Sequence, residues 1–167
     1  VRKFGFIKLY KNDKIKLCPH LVSLGPDPLS KNFQLKYLFD RLKQTKKNIK
    51  NFLMDQKHIA GVGNIYANEI LHLSSINPRK ITSTVNYRSA KVLNRNIKSI
   101  LKSSIRHGGS SIKDFSGISG KSGQYQQKFR VYDREGRKCK KTGCKGIVRK
   151  IYISNRSSFF CPKCQKY

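Results

Sequence analysis

Acidic residues are scarce in this sequence. Its 167 residues include 8 Asp and Glu against 37 Lys and Arg, which gives a formal net charge of +29 at pH 7. Because so much like charge repels itself, this balance is typical of proteins that act on a polyanion such as a nucleic acid. Long apolar runs and a signal-peptide pattern are also lacking, so we expect neither a transmembrane helix nor a secretory leader, and no membrane partner.

Tryptophan is absent and methionine occurs once, yet the chain has enough apolar residues to form a core. Hydrophobic residues make up 37% of it, including 9 Phe and 8 Tyr. This content excludes a disordered basic tail. The length fits one ordinary domain or two small ones.

Cysteine is unevenly distributed. Cys18 stands alone and is expected to be a small buried hydrophobe, whereas the other four form a C-x4-C pair and a C-x2-C pair separated by sixteen residues. Two close pairs separated by the length of a hairpin can bring four thiolates to one tetrahedral centre, which predicts one structural Zn²⁺ with no histidine ligand. The alternative is four unligated buried cysteines. The predicted ligands are Cys139, Cys144, Cys161 and Cys164.

Apolar periodicity predicts a mostly α-helical chain with small β parts. Residues 4–17 alternate apolar and basic side chains about a polar turn, which predicts a β-hairpin. Residues 110–128 are rich in Ser, Gly, Lys and Gln and are expected to be a loop. Helices are predicted within residues 32–55, 65–73 and 87–107, and short strands at 129–132, 151–153 and 158–160.

The segment from Asp55 to Glu69, DQKHIAGVGNIYANE, contains a tight turn between two helices. Gly61 and Gly63 allow close approach of the backbone, and Asn64 can cap the next helix. Exposed amide groups at a helix start bind phosphate without reading base sequence. The two carboxylates are expected to hold this basic turn in shape rather than to act as an acid–base pair.

Several motifs, taken together and in order, resemble the formamidopyrimidine-DNA glycosylase / endonuclease VIII family. The turn just described resembles the helix–two-turns–helix element of that family, and the resemblance extends over essentially all 167 residues. The other matching segments are RKFG at 2–5, LGPDPLS at 24–30, GGSSIKDF at 108–115, VYDREGRKC at 131–139 and NRSSFFCPKCQK at 155–166.

The resemblance implies three parts. Residues 1–24 would be the end of an N-terminal β-sandwich domain, here a β-hairpin remnant. Residues 25–128 would be the helix–two-turns–helix DNA-binding domain with a loop that covers the lesion, and residues 129–167 a β-hairpin zinc finger. The implied activity is base-excision repair by a bifunctional glycosylase and AP lyase, which flips an oxidised base out of damaged double-stranded DNA. The RKFG motif and the long polar loop favour the branch that acts on oxidised purines, formamidopyrimidine and 8-oxoguanine.

The family's DNA contacts are carried over only where motifs match. Arg2 matches the arginine that contacts the orphaned base, and Phe4 the aromatic wedge that kinks the duplex. Arg156 matches the zinc-finger arginine that holds phosphates and acts as proton donor in the second elimination. The implied phosphate contacts of the helical part are Lys46, Lys50, Gly63 and Asn64.

The family's nucleophile, an N-terminal proline amine, has no counterpart in this chain, which begins at Val1, nor do its neighbouring Glu and Lys. We therefore expect a C-terminal portion that binds DNA and zinc as a monomer in a bacterial cytoplasm, close to the nucleoid, without completing catalysis. Three alternatives stay open: an endonuclease VIII type that removes oxidised pyrimidines, a basic ribosomal-type zinc ribbon, and a stand-alone DNA-binding domain.

Overall fold

The computed structural model describes residues 7–110 and 123–167. Within these residues, five α-helices precede one β-hairpin: α1 (Pro19–Val22), α2 (Leu35–Lys43), α3 (Ile49–Met54), α4 (Asn64–Leu73), α5 (Tyr87–Arg106), β1 (Arg149–Ile153) and β2 (Arg156–Phe160). The strands pair antiparallel, with Arg149 opposite Phe160 and Ile153 opposite Arg156. A mostly α fold with a C-terminal β-hairpin is therefore confirmed. No described helix is both long and apolar enough to cross a bilayer.

The prediction of an N-terminal β-hairpin is wrong for the described residues 7–17. A 3-10 helix forms at Asn12–Leu17 where the second strand was expected, and α1 follows directly. Ile7, Leu9 and Leu17 are largely exposed, so the alternating apolar side chains have no packed surface beneath them. An isolated two-stranded hairpin is marginal in water, and nothing else among the described residues pairs with this segment.

The helical pattern between residues 32 and 55 is divided in two. The chain leaves α2 after Lys43, and α3 starts when the side chain of Asn48 accepts a hydrogen bond from the backbone N–H of Asn51 at 2.9 Å. Asn48 is thus an N-cap inside a segment whose apolar periodicity continues across the break. Helix α5 follows the prediction closely, with Asn86 as N-cap and left-handed backbone at Gly108 and Gly109 after its end.

The main apolar core lies among α2, α3, α4 and α5, and α4 is its central element. Ala67, Ile70 and Leu71 of α4 are buried, as are Leu93 and Ile97 of α5. Helix α4 also packs against β2, so the hairpin is in direct contact with the helical part. This arrangement holds the N-terminus of α4 beside the turn of the hairpin.

A second, smaller cluster joins Val131, Val148 and Phe159, with Tyr132 packed against it. The prediction of a strand at 129–132 is wrong, because these residues form bends and turns. Ser154 and Asn155 have φ of 47° and 58°, which is the backbone of a tight two-residue hairpin turn, and Arg156 follows it directly. The three-part division into 1–24, 25–128 and 129–167 stays a prediction.

Candidate nucleic-acid interface and metal centre

The turn before α4 is braced by a side chain that the sequence did not single out. Gly61 has φ of +79°, a backbone conformation that favours glycine, and its N–H donates to Oε1 of Gln56 at 2.7 Å. The Nε2 group of Gln56 donates to the carbonyl of Val62 at 3.2 Å. The amide of Gly61 is therefore used inside the turn, and the group left for an anion is the start of α4.

The N-cap of α4 is Gly63, and Asn64 is the first helical residue rather than the cap. Both are at least partly accessible. The first N–H groups of a helix have no intrahelical partner and carry the positive end of its dipole. This end of α4 can thus receive a phosphate oxygen.

Two side chains from separate helices meet at one backbone carbonyl of the hairpin. Nδ2 of Asn64 lies 3.1 Å from the carbonyl oxygen of Ser157, and Nζ of Lys50 lies 2.9 Å from the same oxygen. Nζ of Lys50 also donates to Oγ of Ser158 at 2.6 Å. The residue before Ser157 is Arg156, whose side chain is exposed. The helix start, the lysine and the arginine thus come together through strand β2.

Lys50 is fully buried in this arrangement. Burial, together with the nearby positive charge of Arg156, lowers the pKa of Lys50 to about 8. Among the described residues no carboxylate pairs with this ammonium, and the nearby charge is a second cation, Arg156. An incoming phosphate would supply the missing negative charge.

Further contacts fix the hairpin on α3 and α4. Asn51 donates from Nδ2 to Oγ of Ser154 at 2.7 Å, and Asn68 accepts the backbone N–H of Phe159 at 2.7 Å. Asn68 also donates to the carbonyl of Asn64 at 2.7 Å. The backbone of Arg156 is consequently held by bonds on either side of it, one to the hairpin turn at Ser154 and one to strand β2 at Phe159.

The carboxylates of the turn segment have different roles. Asp55 pairs with Lys47 at 2.9 Å and accepts the N–H of Lys57 at 3.1 Å, so it braces the turn as expected, and the Lys47 ammonium lowers the pKa of Asp55. Glu69 does not contact the turn. It is buried and accepts backbone N–H groups at 2.9–3.0 Å. Burial raises the pKa of Glu69, and these bonds oppose that shift. The donors are Arg130, Val131 and Tyr132.

The predicted DNA-contacting residues fall into three groups. Lys50, Gly63, Asn64 and Arg156 come together as described. Lys46 is exposed on the connection between α2 and α3. Arg2 and Phe4 lie outside the described residues.

The four clustered cysteines fit a tetrahedral metal ion. Their Sγ atoms lie within 4.8 Å of one another, with Cys139 and Cys164 3.8 Å apart and Cys144 and Cys161 3.7 Å apart. A tetrahedron with metal–sulfur bonds of about 2.3 Å has sulfur–sulfur edges of about 3.8 Å. Both of these distances match such an edge, and each joins a cysteine of the C-x4-C pair to one of the C-x2-C pair.

Local sequence positions these sulfurs. A Cβ on Gly146 would lie 2.5 Å from Sγ of Cys161, so only glycine fits between the two pairs. The N–H of Cys139 donates to the carbonyl of Gly146 at 2.8 Å, and the N–H of Cys161 donates to Oε1 of Gln165 at 2.8 Å. Gln165 donates in turn to the carbonyl of Ile76 at 2.8 Å, which ties the cluster to the helical part.

His72 is a buried neighbour of this cluster. It projects from α4, and its Nε2 lies 3.1 Å from Sγ of Cys139. Burial, together with the nearby charges of Arg130 and Lys141, lowers the pKa of His72 to about 4, which favours the neutral ring. Nothing in the position of His72 in the sequence indicates this contact.

Comparison with known proteins gives consistent matches. The model of the formamidopyrimidine-DNA glycosylase H2TH domain matches residues 24–116. A formamidopyrimidine-DNA glycosylase of a Caulobacter species is 42% identical over 164 residues, covering 98% of this chain and 57% of the relative. One from a Bradyrhizobium species is 40% identical over 171 residues, covering 99% and 58%. The chain thus spans about 57% of the length of these curated relatives.

Solved structures of DNA complexes are similar as well. MutM bound to DNA containing carbocyclic 8-oxo-G superposes with a TM-score of 0.89 at 35% identity, covering 100% of this chain and 60% of that one. Lactococcus lactis Fpg bound to DNA containing an abasic site superposes with a TM-score of 0.83 at 35% identity, covering 91% and 56%.

Proposed function

Because this chain belongs to the formamidopyrimidine-DNA glycosylase family, we propose that it is the DNA- and zinc-binding part of a base-excision repair enzyme. The proposed enzyme is a bifunctional glycosylase and AP lyase that removes oxidised purines and cleaves the resulting abasic site. The observation that carries this proposal is the meeting of Asn64 and Lys50 at the carbonyl of Ser157, directly beside Arg156.

The contacts with DNA would be made to its sugar-phosphate backbone. The amide groups at the start of α4, the Asn64 carboxamide and the Arg156 guanidinium offer donors to phosphate oxygens, and none of them reads a base. Lys46 would add a contact from its exposed loop. Lys50, being buried, would act partly through the Ser157 carbonyl that it holds and partly through its charge.

Arg156 is also our candidate for a role in the second elimination. A guanidinium stays charged at any working pH and binds phosphate in a bidentate way. It would stabilise the phosphate group that leaves the sugar. Arg2 and Phe4, by their match to the RKFG motif, would fill the space that a flipped nucleotide leaves in the duplex.

The metal at the four cysteines is proposed to be one structural Zn²⁺. Four thiolates in a closed tetrahedron are typical of structural zinc and leave no open position for catalysis. When bound, the ion would supply the folding energy that the small Val131 cluster cannot provide alone. The cysteines hold the base of the hairpin, and so determine where Arg156 stands at its other end.

Oxidised purines are favoured over pyrimidines as substrates. The curated relatives at 38–42% identity carry the name formamidopyrimidine-DNA glycosylase. Similar solved structures hold DNA containing Fapy-dG or carbocyclic 8-oxo-G. These names support the purine branch over the endonuclease VIII alternative.

Catalysis by these 167 residues alone is not expected. In the family's mechanism a proline amine attacks the sugar, and no residue here matches it. We propose a monomer that works in a bacterial cytoplasm near the nucleoid and needs the remaining part of the enzyme for chemistry.

The test begins with the gene. We expect the reading frame upstream of Val1 to start with Met-Pro-Glu, and the longer product to release 8-oxoguanine and formamidopyrimidine from duplex DNA. Release of oxidised pyrimidines alone would favour endonuclease VIII.

The chain alone should bind duplex with an abasic-site analogue more tightly than intact duplex. Arg2→Ala should remove that preference, whereas Lys3→Ala should keep it. Equal or tighter binding to structured RNA would favour the ribosomal-type alternative.

A further inference from the structure

His72 stands at the boundary between the helical part and the four-cysteine cluster. Its side chain is 1% exposed, and its Nε2 is 3.1 Å from Sγ of Cys139, which lies 67 residues later in the chain. We infer that His72 donates its Nε2–H to the Cys139 thiolate and thereby orients and stabilises this metal ligand from helix α4. The inference rests on the proposed occupation of the cluster by zinc.

The surroundings of the ring decide which nitrogen carries the proton. A neutral imidazole has one N–H group, and a metal-bound thiolate is an acceptor only. Were the proton on Nδ1, the lone pair of Nε2 would face the lone pairs of the sulfur at 3.1 Å. With the proton on Nε2 that contact is a hydrogen bond, and Nδ1, which has no partner among the described residues, keeps only an unused lone pair. The Nε2–H tautomer is therefore favoured.

Cys139 receives a second donor from its own loop. The backbone N–H of Lys141 lies 3.4 Å from the same sulfur, a longer contact than that of His72. Backbone amides donate in this way within a finger, whereas the His72 ring comes from outside it. His72 therefore couples the metal ligand to α4, whose opposite end is the proposed phosphate site.

Such outer donors have measurable effects on metal sites. They fix the direction of the ligand and draw charge from it, and their loss typically costs about 10- to 100-fold in metal affinity. Loss of the donor should also make the Cys139 thiolate more reactive, because more negative charge stays on the sulfur. The reactivity of Cys161 should be unaffected, because its backbone N–H donates to Gln165 and its sulfur accepts no hydrogen bond from His72 in the described structure.

Two nearly isosteric substitutions separate hydrogen bonding from packing. His72→Gln keeps an N–H donor at about the distance of Nε2 from the backbone, whereas His72→Met has similar length and volume and no donor. With the metal-loaded chain, affinity is measured by competition for Zn²⁺ with a chromogenic chelator, and alkylation of Cys139 by iodoacetamide is followed by peptide mass. We expect His72→Met to lose about 10- to 100-fold in affinity and to alkylate faster at Cys139, and His72→Gln to recover most of both. Equal values for the two variants would overturn the inference.

The parent chain provides a test that needs no substitution. After loading with ¹¹³Cd²⁺, the imidazole proton of His72 should be found on Nε2 and should show scalar coupling to the metal through Cys139. A proton on Nδ1, or an Nε2 proton without coupling, would overturn the inference even if a variant fails to fold. Failure of the parent chain to bind one metal ion would instead refute the proposed zinc site, so the two failures are distinguishable.

Discussion

The side-chain amide of Asn64 donates a hydrogen bond to the carbonyl oxygen of Ser157, 93 residues later in the chain. Through this bond the first residue of α4 holds the strand that carries Arg156. A phosphate at the helix start would therefore find the backbone that bears the guanidinium already held in place. Because pre-organised donors lose little freedom when they bind, this arrangement favours a tight grip on the backbone.

Arg156→Ala should weaken binding of duplex containing an abasic-site analogue. The change removes a charged donor that can contact phosphate, and hydrogen bonds to charged groups contribute about 1.5–3 kcal/mol, or roughly 10- to 100-fold in Kd. Arg149→Ala is the matched control, since it removes the same charge from an exposed position at the other end of the hairpin. Fluorescence anisotropy at fixed salt measures both, and equal losses would indicate a merely general charge effect.

Asn64→Ala should weaken the same complex without unfolding the chain. The N-cap of α4 is Gly63, so helix α4 keeps its start, while the hairpin loses one of two donors to Ser157. We expect a loss of about 10-fold or more in affinity, with circular dichroism and thermal midpoint close to those of the parent chain. Normal affinity in a folded Asn64→Ala variant would remove this residue from the proposed interface.

Cys161→Ser should release the metal and expose residues 131–167 to protease. In a small finger the binding free energy of the metal is its folding free energy. Cys18→Ser is the control, because Cys18 lies outside the cluster and should leave the metal content at one ion per chain. Mass spectrometry under native conditions counts the ion. A metal that persists after all four clustered cysteines are replaced would refute the site.

DNA affinity should depend strongly on salt and little on sequence. If about five phosphates are contacted, log K should fall against log salt with a slope of about −4 to −5. Titrations of one duplex at several salt concentrations give the slope, and a shuffled duplex of equal length is the control. A slope near zero, or a marked preference for one undamaged sequence, would contradict a backbone-directed grip.

The parts of this protein that the sequence predicted are those determined by local pattern. The twenty-residue helix α5 follows its apolar stripe and stops at two glycines, and the four cysteines lie together as their spacing indicates. The N-terminal hairpin was wrong because its alternation of apolar and basic residues was local, whereas a strand needs a partner and a surface to cover. Such partners are set by tertiary contacts that the pattern does not contain.

The contacts of the candidate site were largely beyond prediction. Ser157 acts through its backbone carbonyl, which any residue would supply. Its residue type therefore gives no indication of this role. Glu69 was assigned to the nearby turn, yet it accepts N–H groups some 61–63 residues away because α4 carries it into the interior beneath residues 130–132. Family motifs identified Asn64 and Arg156 individually, and only the fold brought them together.

Lys50 should bind a proton when the chain binds DNA near pH 8. Its pKa is about 8 in the free chain because the ammonium is buried and lies near Arg156. A neighbouring phosphate stabilises the charged form and raises this pKa, so binding takes up a proton where the free lysine is partly neutral. Below about pH 7 the lysine is charged in both states and proton uptake vanishes. Above pH 8 the affinity for DNA should fall, because the proton becomes harder to acquire.

Calorimetry in two buffers of different ionisation enthalpy measures the proton uptake at pH 8. Lys50→Met should abolish it, whereas Lys46→Met, which removes an exposed lysine from the neighbouring loop, should lower affinity and keep it. Identical proton uptake in the parent chain and in a folded Lys50→Met variant would mean that Lys50 does not sense the phosphate.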